Sequence, residues 1–188
     1  MNDFIFENTS IKDLIIIKNN IFKDNRGSLS RIFCDDFFSK IGWNNSIVQI
    51  NHTITKTRGT IKGMHYQVPP LSEKKLVKCI KGKIFDVTID LRKESETFLK
   101  WHSEILSEED SKSKLIPEGL AHGYQSLSDN CHIIYCHTVP YSKDHERAVN
   151  PLDKKIDIKW PIDINLISIK DQNTKMIDEN FMGVVIED

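Results

Sequence analysis

Short runs rich in isoleucine, valine, phenylalanine and threonine recur along the chain between clusters of turn-forming residues. They fall at 13–18 (DLIIIK), 28–33 (SLSRIF), 46–50 (SIVQI), 75–80 (KLVKCI), 83–91 (KIFDVTIDL), 100–106 (KWHSEIL) and 131–138 (CHIIYCHT). Runs of this length and spacing predict strands, and a series of them predicts an all-β sandwich or barrel. KIFDVTIDL alternates imperfectly, as a strand does when both its faces are partly covered, and Lys81-Gly82-Lys83 supplies the turn before it. Helical signals are few: Asp35 to Ile41 predicts a short N-capped helix, Ser107 to Asp110 a single turn, and the segment from about Gln172 onward a helix or an arm. No repeat, low-complexity stretch or linker divides residues 1–188, so a single domain is expected.

At 188 residues and 39% hydrophobic content the chain can bury a substantial core. A net charge of -1 leaves no electrostatic footprint for a nucleic acid polymer or an anionic membrane, although a local cationic pocket is still allowed. A nucleotide-sized anion fits this balance better. The four cysteines, Cys34, Cys79, Cys131 and Cys136, form no CxxC pair, and the N-terminus lacks a basic region followed by an apolar run and a cleavage site. Free thiols and a cytoplasmic location follow as expectations, with Cys79 and Cys136 as small buried apolar residues. No run has the length of a membrane span.

The stretch 58–92 places His65 and Lys75 on neighbouring strand-like runs. A base beside a cation suits removal of a proton next to a carbonyl, where the base takes the proton and the cation stabilises the enolate. An ordinary imidazole titrates near ~6.5 and is available as a base at working pH. Taken singly, His65 reads rather as a core histidine bonded to a backbone carbonyl, and Lys75 can be read as a snorkelling surface lysine among Lys74, Lys78, Lys81 and Lys83.

An ordered set of motifs decides between these readings: KDNRG (23–27), VQINH (48–52), GMHYQVPP (63–70), KLVKCIKGKIFDVTIDLR (75–92), IPEGLAHGYQSLSD (116–129), Tyr135, VPYSKDHER (139–147) and the late pair Lys170 and Asp171. Together they resemble the dTDP-4-dehydrorhamnose 3,5-epimerase family, which inverts the carbons flanking the 4-keto group of a nucleotide-linked deoxysugar. The resemblance spans nearly the whole chain and implies a double-stranded β-helix, the cupin jelly roll, with a few short helices. It also implies a homodimer formed by strand exchange, a nucleotide-diphosphate keto sugar as substrate, and no cofactor. A homodimer is expected too from Phe4, Ile5 and Phe6, which a small monomer would cover poorly.

The resemblance further implies that His65 is the base, oriented by Asp171, that Lys75 lies near the 4-keto oxygen, and that Tyr135 returns a proton to the opposite face. His122 is implied near the sugar, Tyr141 stacked on the nucleotide base, and Arg26 on a phosphate. Gln49, Asn51, Glu146 and Lys170 follow as weaker binding positions. Many cupins hold a metal through an HxH pair, but here Tyr66 and Gln67 follow His65 and the seven histidines are scattered, so no metal site is expected.

Three departures from the family pattern fall on the binding side. Lys62 replaces an arginine, DNRGSLSR replaces a more aromatic and acidic stretch, and Glu73 replaces a glutamine. They leave open the nucleotide (dTDP, CDP or GDP), the sugar (hexose or heptose) and whether one or two centres are inverted. A single-centre epimerase acting on a GDP- or CDP-linked keto sugar is one alternative. A catalytically silent nucleotide-sugar or carbohydrate-binding module is another. The joint presence of His65, Lys75 and Tyr135 weighs against the second, because a binder needs no acid and base on opposite faces.

Overall fold

Residues 4–186 are described by the structure, a computed structural model. One sheet runs in the order β1 (Phe4–Asn8), β2 (Ile15–Asn19), β10 (Lys112–Ile116), β7 (Lys75–Lys81), β12 (Cys131–His137) and β5 (Gln49–Thr55). The other runs β13 (Glu146–Ala148), β6 (Thr60–Gln67), β11 (Leu120–Ser126), β8 (Lys83–Asp90) and β9 (Trp101–Ser107), with β14 (Leu166–Ile167) added parallel to β6. A separate hairpin joins β3 (Ile21–Asp24) to β4 (Gly27–Ser30). The strands of both main sheets otherwise pair antiparallel, giving the expected β-jelly roll.

Each sheet is covered on both faces. Between them pack Val77, Cys79 and Ile133 from the first sheet against Ile84, Leu106 and Tyr124 from the second. Outside the first sheet, α1 (Asp35–Phe38) and the 3-10 turn Ser39–Ile41 help build an aromatic cluster, in which Phe38 and Trp43 cover Leu76, Leu115 and Cys136. Outside the second, Ile177, Phe181, Val184 and Ile186 fold back over Val87, Ile89 and Leu91. This double covering explains the broken alternation of KIFDVTIDL: Ile84 serves the inner core while Val87 and Ile89 serve the outer one.

Several boundaries move. The run at 13–18 starts its strand at Ile15, that at 28–33 is strand only to Ser30, and that at 46–50 enters its strand at Gln49 and continues to Thr55. The helix at Asp35 has Cys34 at its N-cap with no side-chain cap bond. Ser107 to Asp110 form no helical turn. Instead the Asp110 carboxylate accepts from the backbone N–H groups of Ser107 and Lys112, folding the acidic run into a tight turn. Helical structure ends at Gln172 with α2 (Ile169–Gln172), and the remainder is the arm that covers the second sheet. The N-terminal run is better covered than its composition suggests, since Phe4 is buried against Phe37 and Phe38 and only Ile5 is largely exposed. Its first three residues lie outside the described ones.

Acid should loosen this fold in two stages. Burial alone would raise the carboxyls of Asp86, Asp90 and Asp171, but His122 and Lys114, Arg92, and His65 respectively hold them below the usual range. Such groups stabilise the fold above their unfolded pKa of about 3.9, and that contribution is lost as pH falls through their lower folded values. His137 is pushed down to about 4 by burial and by Lys75, and burial lowers His102 and His122 in the same direction. A buried neutral histidine stabilises the fold above its unfolded value near ~6.5, and this is lost as pH falls toward the folded value. The melting temperature, followed by circular dichroism, should therefore drop first between about pH 6.5 and about pH 4 and again below that. His137→Gln should shrink the first drop; an unchanged first drop would assign it to other groups.

Candidate active site

A single irregularity in the second sheet sets the geometry. Between β6 and β11 the register passes from His122 opposite His65 to Tyr124 opposite Lys62, so three steps on β6 match two on β11. The extra residue is a β-bulge at Gly63 and Met64, facing Gly123. In a regular strand residues three apart point to opposite faces, and the bulge is what brings Lys62 and His65 to one face with His122 and Tyr124. The close approach needs both glycines. A Cβ on Gly63, at φ +122, would lie 2.5 Å from the Gly123 Cα, and one on Gly123 would lie 2.6 Å from the Lys62 carbonyl oxygen.

The first sheet answers with two rungs, Lys75–His137–Gln49 and Val77–Tyr135–Asn51. Between the sheets lies a cavity of about 370 Å³, lined by Lys62, His65 and His122 from one side and by Lys75, Tyr135 and His137 from the other. His65 and Tyr135 thus approach it from opposite sheets. The third contribution is α2, packed beside β6, whose N-cap Ser168 accepts from the Asp171 N–H at 3.0 Å and fixes Asp171 against His65.

Three histidines line this cavity, and their counter-charges distinguish them. His65 Nε2 lies 2.7 Å from Asp171 Oδ1. An ionised carboxylate only accepts hydrogen bonds, so the ring carries its proton on Nε2 and leaves the Nδ1 lone pair. His122 Nε2 lies 2.7 Å from Asp86 Oδ2, but the other oxygen of that carboxylate is taken by Lys114 at 2.6 Å. His137 has no carboxylate, and burial together with Lys75 makes it a neutral imidazole with a pKa of about 4. The Tyr135 phenol is pushed well above its ordinary value by burial and by the Tyr124 hydroxyl with which it hydrogen-bonds. Tyr124 in turn meets Thr55 Oγ1 at 2.6 Å. Lys75 Nζ sits 2.6 Å from Glu73 Oε1 and donates to the His65 carbonyl oxygen at 3.2 Å.

The family model described as dTDP-4-dehydrorhamnose 3,5-epimerase matches residues 8–179. The chain belongs to that family, and it is an epimerase. Among the epimerases it resembles, the dTDP-4-dehydrorhamnose 3,5-epimerase of Shigella flexneri is 40% identical over 175 residues, covering 92% of this chain and 96% of the relative. The crystal structure of the Bacillus anthracis epimerase with TDP and PPi bound superposes with a TM-score of 0.89 at 32% identity, covering 93% of this chain and 99% of that one. The Legionella pneumophila epimerase, solved in complex with dTDP-4-keto-L-rhamnose, gives 0.90 at 31% identity, covering 98% and 100%.

The remaining sequence-predicted residues lie around the same cavity, with one exception. At the mouth, Glu146 Oε2 accepts from Lys170 Nζ at 2.6 Å and from the Tyr141 hydroxyl at 3.1 Å, and the Tyr141 ring is largely exposed. Gln49 joins this group by accepting from the Tyr141 N–H at 2.8 Å and donating to Asn51 Oδ1 at 3.2 Å. Burial lowers the Lys62 pKa. Arg26 is the exception. It sits exposed at the tip of the β3–β4 hairpin, paired with Asp24 at 2.6 Å and off the cavity. Sequence reasoning gave no site role to Asp86, Lys114 or His137, and named Glu73 only as a departure from the family pattern. For Asp86 and His137 there was a signal, a polar residue at an inward position of an otherwise apolar strand. Among the described residues no three His, Cys, Asp or Glu side chains gather at metal-ligand spacing.

The paired glycines give a direct check. Gly123→Ala must push a backbone carbonyl aside, so it should separate β6 from β11 at a cost of about 1–3 kcal/mol. Loss of turnover should accompany the lowered melting temperature. Full activity in this variant would remove the bulge from the account of the site.

Proposed function

We propose that this epimerase inverts C3 and C5 of a dTDP-linked 4-keto-6-deoxy hexose, with His65 as base, Tyr135 as acid and Lys75 as enolate stabiliser. The observation that carries this reading is the placement of His65 and Tyr135 on opposite walls of one cavity. An inversion removes a proton from one face of a carbon and delivers one to the other. The substrate's own ketone makes the C3 and C5 hydrogens acidic, so the chemistry asks only for groups this chain supplies.

With the sugar between the sheets, the Nδ1 lone pair of His65 takes the proton, the C–H pair forms the C=C bond of the enolate, and the carbonyl π pair moves onto the 4-keto oxygen. Asp171 stabilises the imidazolium that results. The Lys75 ammonium lowers the energy of the enolate oxygen. Tyr135, kept protonated by its burial, gives its proton to the opposite face of the carbanion as the carbonyl re-forms. Tyr141 offers its exposed ring to the nucleotide base, and Lys170 and Lys62 offer charge to the diphosphate. The dTDP assignment rests on the ligands of the Bacillus and Legionella relatives. Four free thiols agree with a cytoplasmic setting, and among the described residues no helix is long and apolar enough to cross a membrane.

Exchange in deuterium oxide, read at C3 and C5 by NMR, tests the division of labour. His65→Ala should lose exchange at both carbons. Tyr135→Phe should keep some exchange at C3 without completing inversion, because the base can still return a proton to its own face. Lys75→Ala should depress both by about 100-fold or more, the size of losing an oxyanion-hole donor. Wild-type exchange in His65→Ala would overturn the assignment of the base. Absence of exchange in the wild-type protein with dTDP-, CDP- and GDP-linked substrates alike would favour a silent binding module.

The same reading includes a homodimer. Its support is the edge strand β5, which leaves Ile50 and Ile54 exposed, together with exposed Phe22 and Leu29 on the hairpin that carries Arg26. Light scattering at micromolar concentration should give about twice the chain mass. A monomer would overturn this part of the reading.

A further inference from the structure

The buried chain Lys114–Asp86–His122 is not used by the mechanism above, yet it ends on the cavity wall. Lys114 and Asp86 have fully buried side chains and His122 is nearly so. Lys114 Nζ reaches Asp86 Oδ1 at 2.6 Å, the Asp86 backbone carbonyl at 3.1 Å and Thr88 Oγ1 at 3.4 Å. An ammonium placed this deep is costly unless paired, and its pairing partner is the carboxylate that His122 also uses.

From this geometry we infer that Lys114 is a positioning residue: by neutralising Asp86 it holds His122 as an uncharged imidazole with its proton on Nε2, leaving Nδ1 as a hydrogen-bond acceptor for a substrate hydroxyl. The tautomer follows from the carboxylate, which can only accept. The charge follows from the count. Lys114 and Asp86 already sum to zero, so a proton on His122 would leave a net positive charge in a dry interior. Without Lys114 the balance reverses, because Asp86 and a protonated His122 would form the neutral pair.

Of the other groups facing His122, the Lys75 cation acts in the same direction. Lys75 on β7 opposes a second cation, and His137 on β12 is itself neutral. Tyr135 presents its ring edge-on at 5.9 Å. His65 sits opposite in register, and His102 on β9 feels both Lys114 and Asp86. Burial, the first cause, also lowers the pKa of His122 itself, against the pull of Asp86. Two of the three cavity histidines, His122 and His137, are thereby kept uncharged.

The inference rests on the epimerase reading for its purpose but not for its test. Ring nitrogen NMR of the full protein, with the His122 signal assigned by its loss in His122→Gln, should show Nε2 protonated and Nδ1 bare from about pH 6.5 to about pH 8.5. In Lys114→Met the same ring should be doubly protonated at about pH 6.5 and titrate upward of the wild type. The charge-balanced Lys114→Met/Asp86→Asn variant should return it to the neutral form, since an asparagine oxygen still accepts from Nε2–H. Turnover of Lys114→Met should be about tenfold below wild type at the lower pH and recover as His122 deprotonates, and the double variant should restore it. A purely structural role for Lys114 predicts no such rescue.

A doubly protonated His122 in the wild type at neutral pH would overturn the inference, as would a His122 that stays neutral in Lys114→Met. The wild-type measurement decides even if Lys114→Met fails to fold. Correct ring states without effect on turnover would count against the assigned purpose of Lys114, while loss of epimerase activity in the wild type would count against the functional reading instead.

Discussion

A charged cavity inside a two-sheet core stands only if each buried ion has a partner, and this constraint organises the site. Lys75 is matched by Glu73, His65 by Asp171, and Asp86 by Lys114 and His122. Lys75 and Glu73 are two residues apart in the chain, whereas the other pairs join residues that the sheets or α2 bring together. The pairing therefore does two things: it meets the cost of removing charge from water, and it fixes which atoms are free to meet a ligand.

The alternation of side chains along a strand supplies the second constraint. Inward positions must serve both the apolar core and the cavity, and the chain divides them along its length. On β12, Ile133 belongs to the core while Tyr135 and His137 belong to the cavity; on β7 the division falls between Cys79 and Val77 in the core and Lys75 at the cavity. A ligand held between such walls meets side chains whose rotation is limited by packing on both sides of each sheet, which favours the fixed geometry that electrostatic stabilisation needs.

Much of this was legible in the sequence where local pattern and motif agreed. The strands at 75–80, 83–91, 100–106 and 131–138 are rich in β-branched and aromatic residues, and the structure keeps them nearly unchanged. β10 escaped notice because KSKLI carries lysines and a serine inward, where tertiary pairing rather than propensity makes it a strand. Lys114 carried no local signal for the same reason. The contact of His65 with Asp171, between residues 106 apart in the chain, came from the resemblance and not from any local signal. Glu73 was visible as a departure from the family pattern, but only the structure reveals that the acid closes an ion pair onto Lys75.

The bulge on β6 has an evolutionary consequence. Loops on a jelly roll tolerate insertions and deletions, since a change in length there leaves the phase of every strand intact. The four residues from Lys62 to His65 have no such freedom. Removing one would restore an uninterrupted ladder with β11, a locally more regular sheet, and would turn Lys62 away from the cavity while His65 stayed in register with His122. Selection for a tighter fold and selection for the site therefore oppose each other at this point, and drift in the lineage should appear as substitutions around this segment rather than as changes in its length.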